Sequence, residues 1–331
     1  ILLNPRKYWT FAHRVEAHLA MRNYDQAIAD CSEMIRLDPK NYWAYAFRGM
    51  THKRMDQLSP AISDFDQAIQ RLPDAVWLLA QRAETHTLLK QYEKAETDAR
   101  RAIDLKRSSW PAWQALFTLE LSRGAPVETT QRLAKEAEAA LGGTGLLAEL
   151  ASWNLVHGRR DEYEKLCSEA AEKVADSTDP VELARVAHAA ALSRDPVVDT
   201  NQLISMARRA VEAPAPSKLI AKRQFTLALC LLRDNQTESA IDWFNRSLEH
   251  TGDTAPANWL GLSIAHATAG QDRQAKEWLQ KAQEWFEQNP LDPTSELPPP
   301  DRIECELLLR EAEELIGQHS SAEENGAQKT P

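Results

Sequence analysis

Glycine is scarce in this chain, at 11 of 331 residues, and cysteine scarcer still, at four. Few glycines beside plentiful Ala, Leu, Glu, Gln and Arg favour helix over strand, because straight side chains lose little rotamer freedom in a helix. Cys31, Cys167, Cys230 and Cys305 lie far apart and form no C-x-x-C pair. That spacing suits buried free thiols in a reducing compartment better than a disulfide framework or a zinc site. Positive charge is also short: 39 Lys+Arg against 49 Asp+Glu leave a net charge of −10, with no basic cluster. A phosphate-backbone partner needs such a cluster, so nucleic acid is not expected. Long apolar runs are missing too. One of the longest, Phe225–Leu232, is interrupted by Thr226 and is too short to span a bilayer. No signal peptide opens the chain, so a cytoplasmic location without membrane insertion is expected. What remains is an ordinary soluble composition, 43% hydrophobic and 27% charged, which excludes a mainly disordered chain.

Against those absences stands a strong internal period. Pro5, Pro39 and Pro73 are 34 residues apart, and so are Ala27, Ala61 and Ala95. The same step links Trp9, Trp43 and Trp77; Arg14, Arg48 and Arg82; His18, His52 and His86; Asp30, Asp64 and Asp98; and Ile35, Ile69 and Ile103. Each unit reads as two helices. In the second unit, Tyr45, Arg48, Gly49 and His52 share a first helix, Asp56-Gln57 is a polar turn, and Ala61, Phe65, Ala68 and Ile69 lie on a second helix that Pro73 stops. Gly49, Ala61 and Ala68 fall where the two helices would cross closely.

These columns, with Ala27-Ile28 and Ala61-Ile62 as the most specific local matches, resemble the tetratricopeptide repeat (TPR) pattern. The resemblance implies an all-α, right-handed superhelical solenoid of about eight helix pairs with a C-terminal capping helix. Residues 1–7, opening on Ile1 rather than Met, read as the remnant of a truncated preceding repeat, so the chain is expected to be a fragment. Residues 8–141 hold regular units. Gly142-Gly143-Thr144-Gly145 then interrupts the chain, and 142–255 hold divergent helix pairs: Leu146–His157 with Asp161–Val174, Pro180–Leu192 with Thr200–Val211, and Lys218–Arg233 with Glu238–His250. A cleaner unit returns at 256–290, with Trp259, Leu262, Gly270, Ala275 and Ala282 in the expected slots. Residues 291–316 read as a linker and capping helix. Asp301 followed by Glu304 suggests a capping box, and Ile303, Leu307, Leu308 and Leu315 would cover the last open face. Residues 317–331 are expected to be a disordered tail.

The less regular half has its own likeness. Asp161-Glu162-Tyr163-Glu164-Lys165-Leu166-Cys167, Ala257-Asn258-Trp259-Leu260 and the run Arg302–Glu313 resemble the C-terminal TPR region of planctomycete bacterial proteins. In that family such a region often follows a serine/threonine kinase or a WD40 propeller.

The His18/His52/His86 column cannot share a metal: helices pack about 8–10 Å apart, and zinc needs ligands about 2 Å from one point. His13 and His18, five residues apart, diverge by about 140° around a helix. The Arg14/Arg48/Arg82 and Asp30/Asp64/Asp98 columns suggest a ladder of ion pairs fixing register, with an anion-binding row as the alternative. Gly142-Gly143-Thr144-Gly145 lacks the lysine of a phosphate loop, and Gly261-Leu262-Ser263-Ile264-Ala265 lies within a helix rather than on a nucleophile elbow. With kinase signatures also absent, no catalytic residue, cofactor, metal or small-molecule substrate is expected.

The tryptophan column is the remaining lead. Trp9, Trp43 and Trp77 fall near the start of each first helix, the helix that lines the concave wall of a TPR superhelix. Exposed rings there would form an apolar stripe for a peptide or protein, flanked by Glu16, Phe47, Met50, Arg54 and Glu84. The alternative is that the rings fill gaps between successive repeats. The carboxylate clamp of chaperone-binding TPR domains is not matched, since Ala12, Glu16, Phe47, Trp77 and Gln81 stand at its positions and none is a cation. The expected function is a protein-interaction scaffold, with the regulatory arm of an upstream serine/threonine kinase as the alternative.

Overall fold

The computed structural model describes residues 11, 13–15, 17–19, 21, 23–251, 255–289 and 299–327. Among them every regular element is a helix. Residues described between 11 and 19 are helical and precede α1 (Tyr24–Leu37). Then come α2 (Tyr42–Arg54), α3 (Leu58–Arg71), α4 (Val76–Leu88), α5 (Tyr92–Leu105), α6 (Trp110–Ser122) and α7 (Val127–Leu141). These belong to a first compact unit, Ile1–Gly142. The second unit, Gly143–Pro331, holds α8 (Gly145–Val156), α9 (Arg160–Val174), α10 (Pro180–Ala191), α11 (Thr200–Glu212), α12 (Ser217–Arg233), α13 (Thr237–Thr251), α14 (Pro256–Thr268), α15 (Asp272–Gln288) and α16 (Pro299–Ala327). Among the described residues, no helix is long and apolar enough to cross a membrane.

Within each unit the same packing recurs. The two helices of a pair lie against each other, and the first helix of a pair also lies against the first helix of the next. Composition follows from that placement. First helices such as α6 and α14 are apolar nearly all round, because neighbours cover two sides; second helices such as α3 and α11 carry one apolar stripe and one solvated face. Ala46, Ala61, Phe65, Ala68, Leu78 and Leu79 form a buried core under α2–α4. Gly49 fits tightly there: a Cβ on it would sit 3.0 Å from Phe65 Cε1 and 3.2 Å from the Ala61 carbonyl oxygen.

The turn joining first to second helix is the most regular feature. Its pivotal residue is left-handed at Asp56 (φ 56°), Lys90 (57°), Gly124 (71°) and Gly158 (71°), each 34 residues after the last, then at Asn235 (59°) and Gly270 (70°). The period therefore runs on from the regular units into α8–α9. Sequence reading missed this, because the residue type at the turn changes while its backbone conformation does not. The helix boundaries of 142–255 differ from the sequence reading by about one residue.

The four cysteines are free and buried. Burial pushes the thiols of Cys31, Cys167 and Cys230 up to about 12, so all three stay protonated and unreactive near neutral pH.

The C-terminal segment differs from expectation in three respects. Helix α16 starts at Pro299, whose ring is already set for a first helical position, so Asp301 lies inside the helix and no capping box forms there. The carboxylates of Asp301 and Glu304 go instead to Lys222 and His188. The backbone stays helical through Ala327, past the expected end at Ile316, across a stretch where Ala322-Glu323-Glu324 has high helix propensity; residues 328–331 lie outside the described residues. Finally, α16 covers α14 and α15 but also packs on α8 and reaches α10 and α12. It lies along the first helices of the unit, not only across its end.

Candidate partner-binding surface

Helices α2 and α4 position the aromatic stripe. Asn41 caps α2, its Oδ1 accepting from the backbone N–H of Trp43 (3.0 Å) and of Ala44 (3.4 Å), which sets Trp43 in the first turn. Trp77 takes the same place in α4, and first-helix packing lays one indole over the other with centroids 5.2 Å apart and planes 26° from parallel. One turn on from Trp43, the Phe47 ring stacks on it at 5.8 Å. The three are not equally available. Trp43 is 38% exposed, whereas Trp77 packs on the core that holds Phe65 and Leu78, and Phe47 on the core of Val15, Leu19 and Ala44.

Other predicted stripe residues are placed differently. Met50 packs against the buried core beside Tyr42 and Trp77. Arg54 is exposed at the end of α2. The Glu84 carboxylate takes Lys53 Nζ at 2.6 Å, and Gln81 Oε1 takes the same ammonium at 3.3 Å. Lys53 escaped the sequence reading because it belongs to none of the 34-residue columns. Its position one helix over from Glu84 follows only from the packing of α2 on α4. Trp9 and Glu16 lie outside the described residues.

Beside the stripe runs the ion-pair ladder. Arg14 Nε and Nη2 each donate to Asp30 at 2.5 Å; Arg48 clasps Asp64 at 2.9 and 2.6 Å, and Arg82 clasps Asp98 at 2.7 and 2.6 Å. The remaining nitrogen of Arg48 reaches back to Ser32 Oγ (3.2 Å), and that of Arg82 to Asp66 (2.6 Å), both on the preceding pair. Arg48 and Arg82 thus use all three guanidinium nitrogens on protein acceptors. That geometry serves register, and it leaves no open fork for an anion at either position. The histidine column is tied inward as well. His52 and His86 bond through Nδ1 to Gln57 (2.6 Å) and Gln91 (2.9 Å) across the turn, and no cluster of metal-ligating side chains occurs among the described residues.

The weaker motifs resolve plainly. Glu182 Oε1 accepts from the Thr144 N–H at 3.1 Å, so a carboxylate already fills the start of α8 where a phosphate would have to sit. Ser263, inside α14, is buried and donates to the Ala275 carbonyl at 2.9 Å. A surface cleft on α7 is lined by Arg107, Glu128, Gln131, Arg132, Lys135, Glu136 and Ala139, mostly solvated charged arms with no paired nucleophile and base.

Residues 78–109, spanning α4 and α5, match the family model of the tetratricopeptide repeat. No curated protein matches the chain by sequence. Among solved structures, the chain is similar to the APC/C hetero-tetramer Cut9-Hcn1, at 12% identity and a TM-score of 0.47, over 91% of this chain and 55% of that one. It is also similar to a tetratricopeptide repeat protein from Parabacteroides merdae, at 14% identity and a TM-score of 0.43, over 85% of this chain and 86% of that one. The chain spans 55% of the length of the first of these. Each unit is a stack of helix pairs, and the pair α4–α5 of the first unit carries the match to the tetratricopeptide repeat.

Proposed function

We propose that the protein is an interaction scaffold without catalytic activity, and that its first unit holds a peptide or partner segment on the first-helix wall at the Trp43–Trp77 step. The observation that supports this reading is the exposure of Trp43. Trp43 is 38% exposed, while Trp77 and Phe47, the rings stacked on it, are each partly buried against the core. A rigid, pre-stacked ring loses little entropy on binding, which is why such aromatics anchor interfaces. The Lys53–Glu84–Gln81 cluster, about one to three turns along the same two helices, offers polar groups that would orient a bound backbone or side chain.

The test is a displayed peptide library selected on the intact chain and counter-selected on Trp43→Ala. Peptides that use the step should lose at least tenfold in affinity on the variant, with helical circular dichroism unchanged. Peptides that bind both proteins equally, or a variant that loses its helical signal, would reject the assignment.

A further inference from the structure

We propose that the second unit carries a separate recognition site, specific for an acidic amphipathic helix, and that α16 is the tethered, exchangeable occupant of that site.

The groove and its occupant are matched in charge and in spacing. On α16, Asp301, Glu304 and Glu311 face two cations, Lys222 and Arg233, and the imidazole of His188 on the repeat helices. Asp301 Oδ1 is 2.9 Å from Lys222 Nζ, Glu304 Oε2 is 3.5 Å from His188 Nε2, and Glu311 is clasped by Arg233 at 2.5 and 2.7 Å. Lys222 and Arg233 are eleven residues apart on α12, and Asp301 and Glu311 ten apart on α16; at 1.5 Å per residue these span about 16 and about 15 Å. The two helices therefore run in the same direction with their charges in register. Leu308, between Glu304 and Glu311, and Ala312, just beyond them, supply the buried apolar edge.

The receptor side is held by the repeats themselves. Arg233 donates from Nε to the Ala191 carbonyl at 2.8 Å, at the end of α10, so its fork is aimed into the groove by a contact that does not involve α16. His188 Nδ1 is likewise held by Thr226 Oγ1 at 3.3 Å. The pairs are graded from mouth to floor: the Lys222 side chain is 51% exposed and the Arg233 side chain 3%. Ion pairs buried in this way add little net stability over an apolar contact, but they reject a partner with the wrong charge pattern. A lid needed only for stability would gain more from leucines. A site that selects its occupant needs the charges.

Ten residues, 289–298, tether α16 to α15. Short tethers hold an occupant at an effective concentration on the order of millimolar, which a partner's helix in trans must overcome. Binding in trans should therefore be weak until the cis helix is loosened.

The experiment uses the full chain and a fluorescent peptide of residues 299–318. Wild-type protein should bind it weakly. The double variant Glu304→Gln/Glu311→Gln keeps the receptor and weakens the cis helix, and should bind at least tenfold more tightly. Adding Arg233→Glu should abolish that gain, and a peptide carrying Glu311→Arg should restore it. A double variant that binds no better than wild type, or that binds the charge-reversed peptide equally well, overturns the proposal, as does a gain in mass from exchange of α16 between two copies without any gain in peptide binding. Hydrogen exchange on the wild-type chain provides a reading free of substitutions. Excess acidic peptide should speed exchange of α16 amides without affecting α14, and exchange of α16 only together with α14 overturns the idea.

Discussion

Gly261 and Phe244 meet so closely that any side chain on the glycine would overlap the ring: an ideal Cβ lies 2.5 Å from Cε1 and 2.6 Å from Cζ of the phenylalanine. Phe244 is fully buried on α13, and Gly261 sits in the middle of α14, where the second helix of one pair crosses the first of the next. Alanine would gain up to about 1 kcal/mol of helix propensity at Gly261, but overpacking costs about 1–3 kcal/mol. At 2.5 Å the clash should win. Gly261→Ala is expected to lower the melting temperature of the second unit, and Phe244→Leu to recover part of the loss when combined with it, measured as a double-mutant cycle in thermal or urea unfolding.

The arginine ladder should weigh unequally from rung to rung. The Arg14 side chain is 52% exposed, Arg48 25% and Arg82 19%. Removing the carboxylate strands a more deeply placed guanidinium at each step. Asp64→Asn and Asp98→Asn are each expected to cost roughly 2 kcal/mol, below the range for fully buried pairs because solvent screens both sites in part. Asp30→Asn should cost distinctly less. Equal losses at Asp30 and Asp98 in urea denaturation would contradict the exposure argument.

Glu149, on α8, makes the second unit sensitive to pH. Burial pushes its carboxyl from 4.5 up to about 7, against the pull of Arg185 and Lys222 and with the push of Asp301. A carboxyl raised in the folded state favours folding while it is protonated. That contribution is complete below about pH 4.5 and is lost as pH rises through about 7. A shift of this size corresponds to at most about 3 kcal/mol. Glu149→Gln should flatten the stability profile between pH 4.5 and 7 and stabilise the protein at pH 8. A profile of unchanged slope in that window would rule out a raised carboxyl at this site.

Left-handed turn residues suggest a simple gain. Gly124, Gly158 and Gly270 adopt the conformation freely, while Lys90 holds φ 57° with a long side chain. A non-glycine residue there costs about 1–2 kcal/mol, so Lys90→Gly should stabilise the first unit by roughly 0.5–1 kcal/mol after the added chain entropy. Asn235→Gly should gain less, because asparagine tolerates this region. Chemical denaturation of the two variants gives the comparison.

Much of this architecture is legible in the chain itself. The 34-residue columns specify helix pairs because each unit repeats the same local pattern, and the residues that meet inside a pair lie only sixteen positions apart, as Arg48 and Asp64 do. The stacking of Trp43 on Trp77 was legible for the same reason: the two occupy equivalent places, and equivalent faces of adjacent first helices must lie side by side. Column membership says nothing about depth, however. Met50 turns into the core, and Lys53, from no column, neutralises Glu84.

What the sequence determined alone was the short-range part: helical composition, the period, the close crossing at Gly49 and the missing phosphate-loop lysine at 142–145. The destination of α16 was decided only by tertiary structure. Its heptad-like face of Leu308, Ala312 and Leu315 would suit any apolar surface, and its carboxylates any cation. Arg233 stands 78 residues before Glu311, and its fork is aimed only once the end of α10 holds it. Local propensity sets which residues become helix. Which groove a finished helix enters depends on charges and cavities assembled from distant parts of the chain.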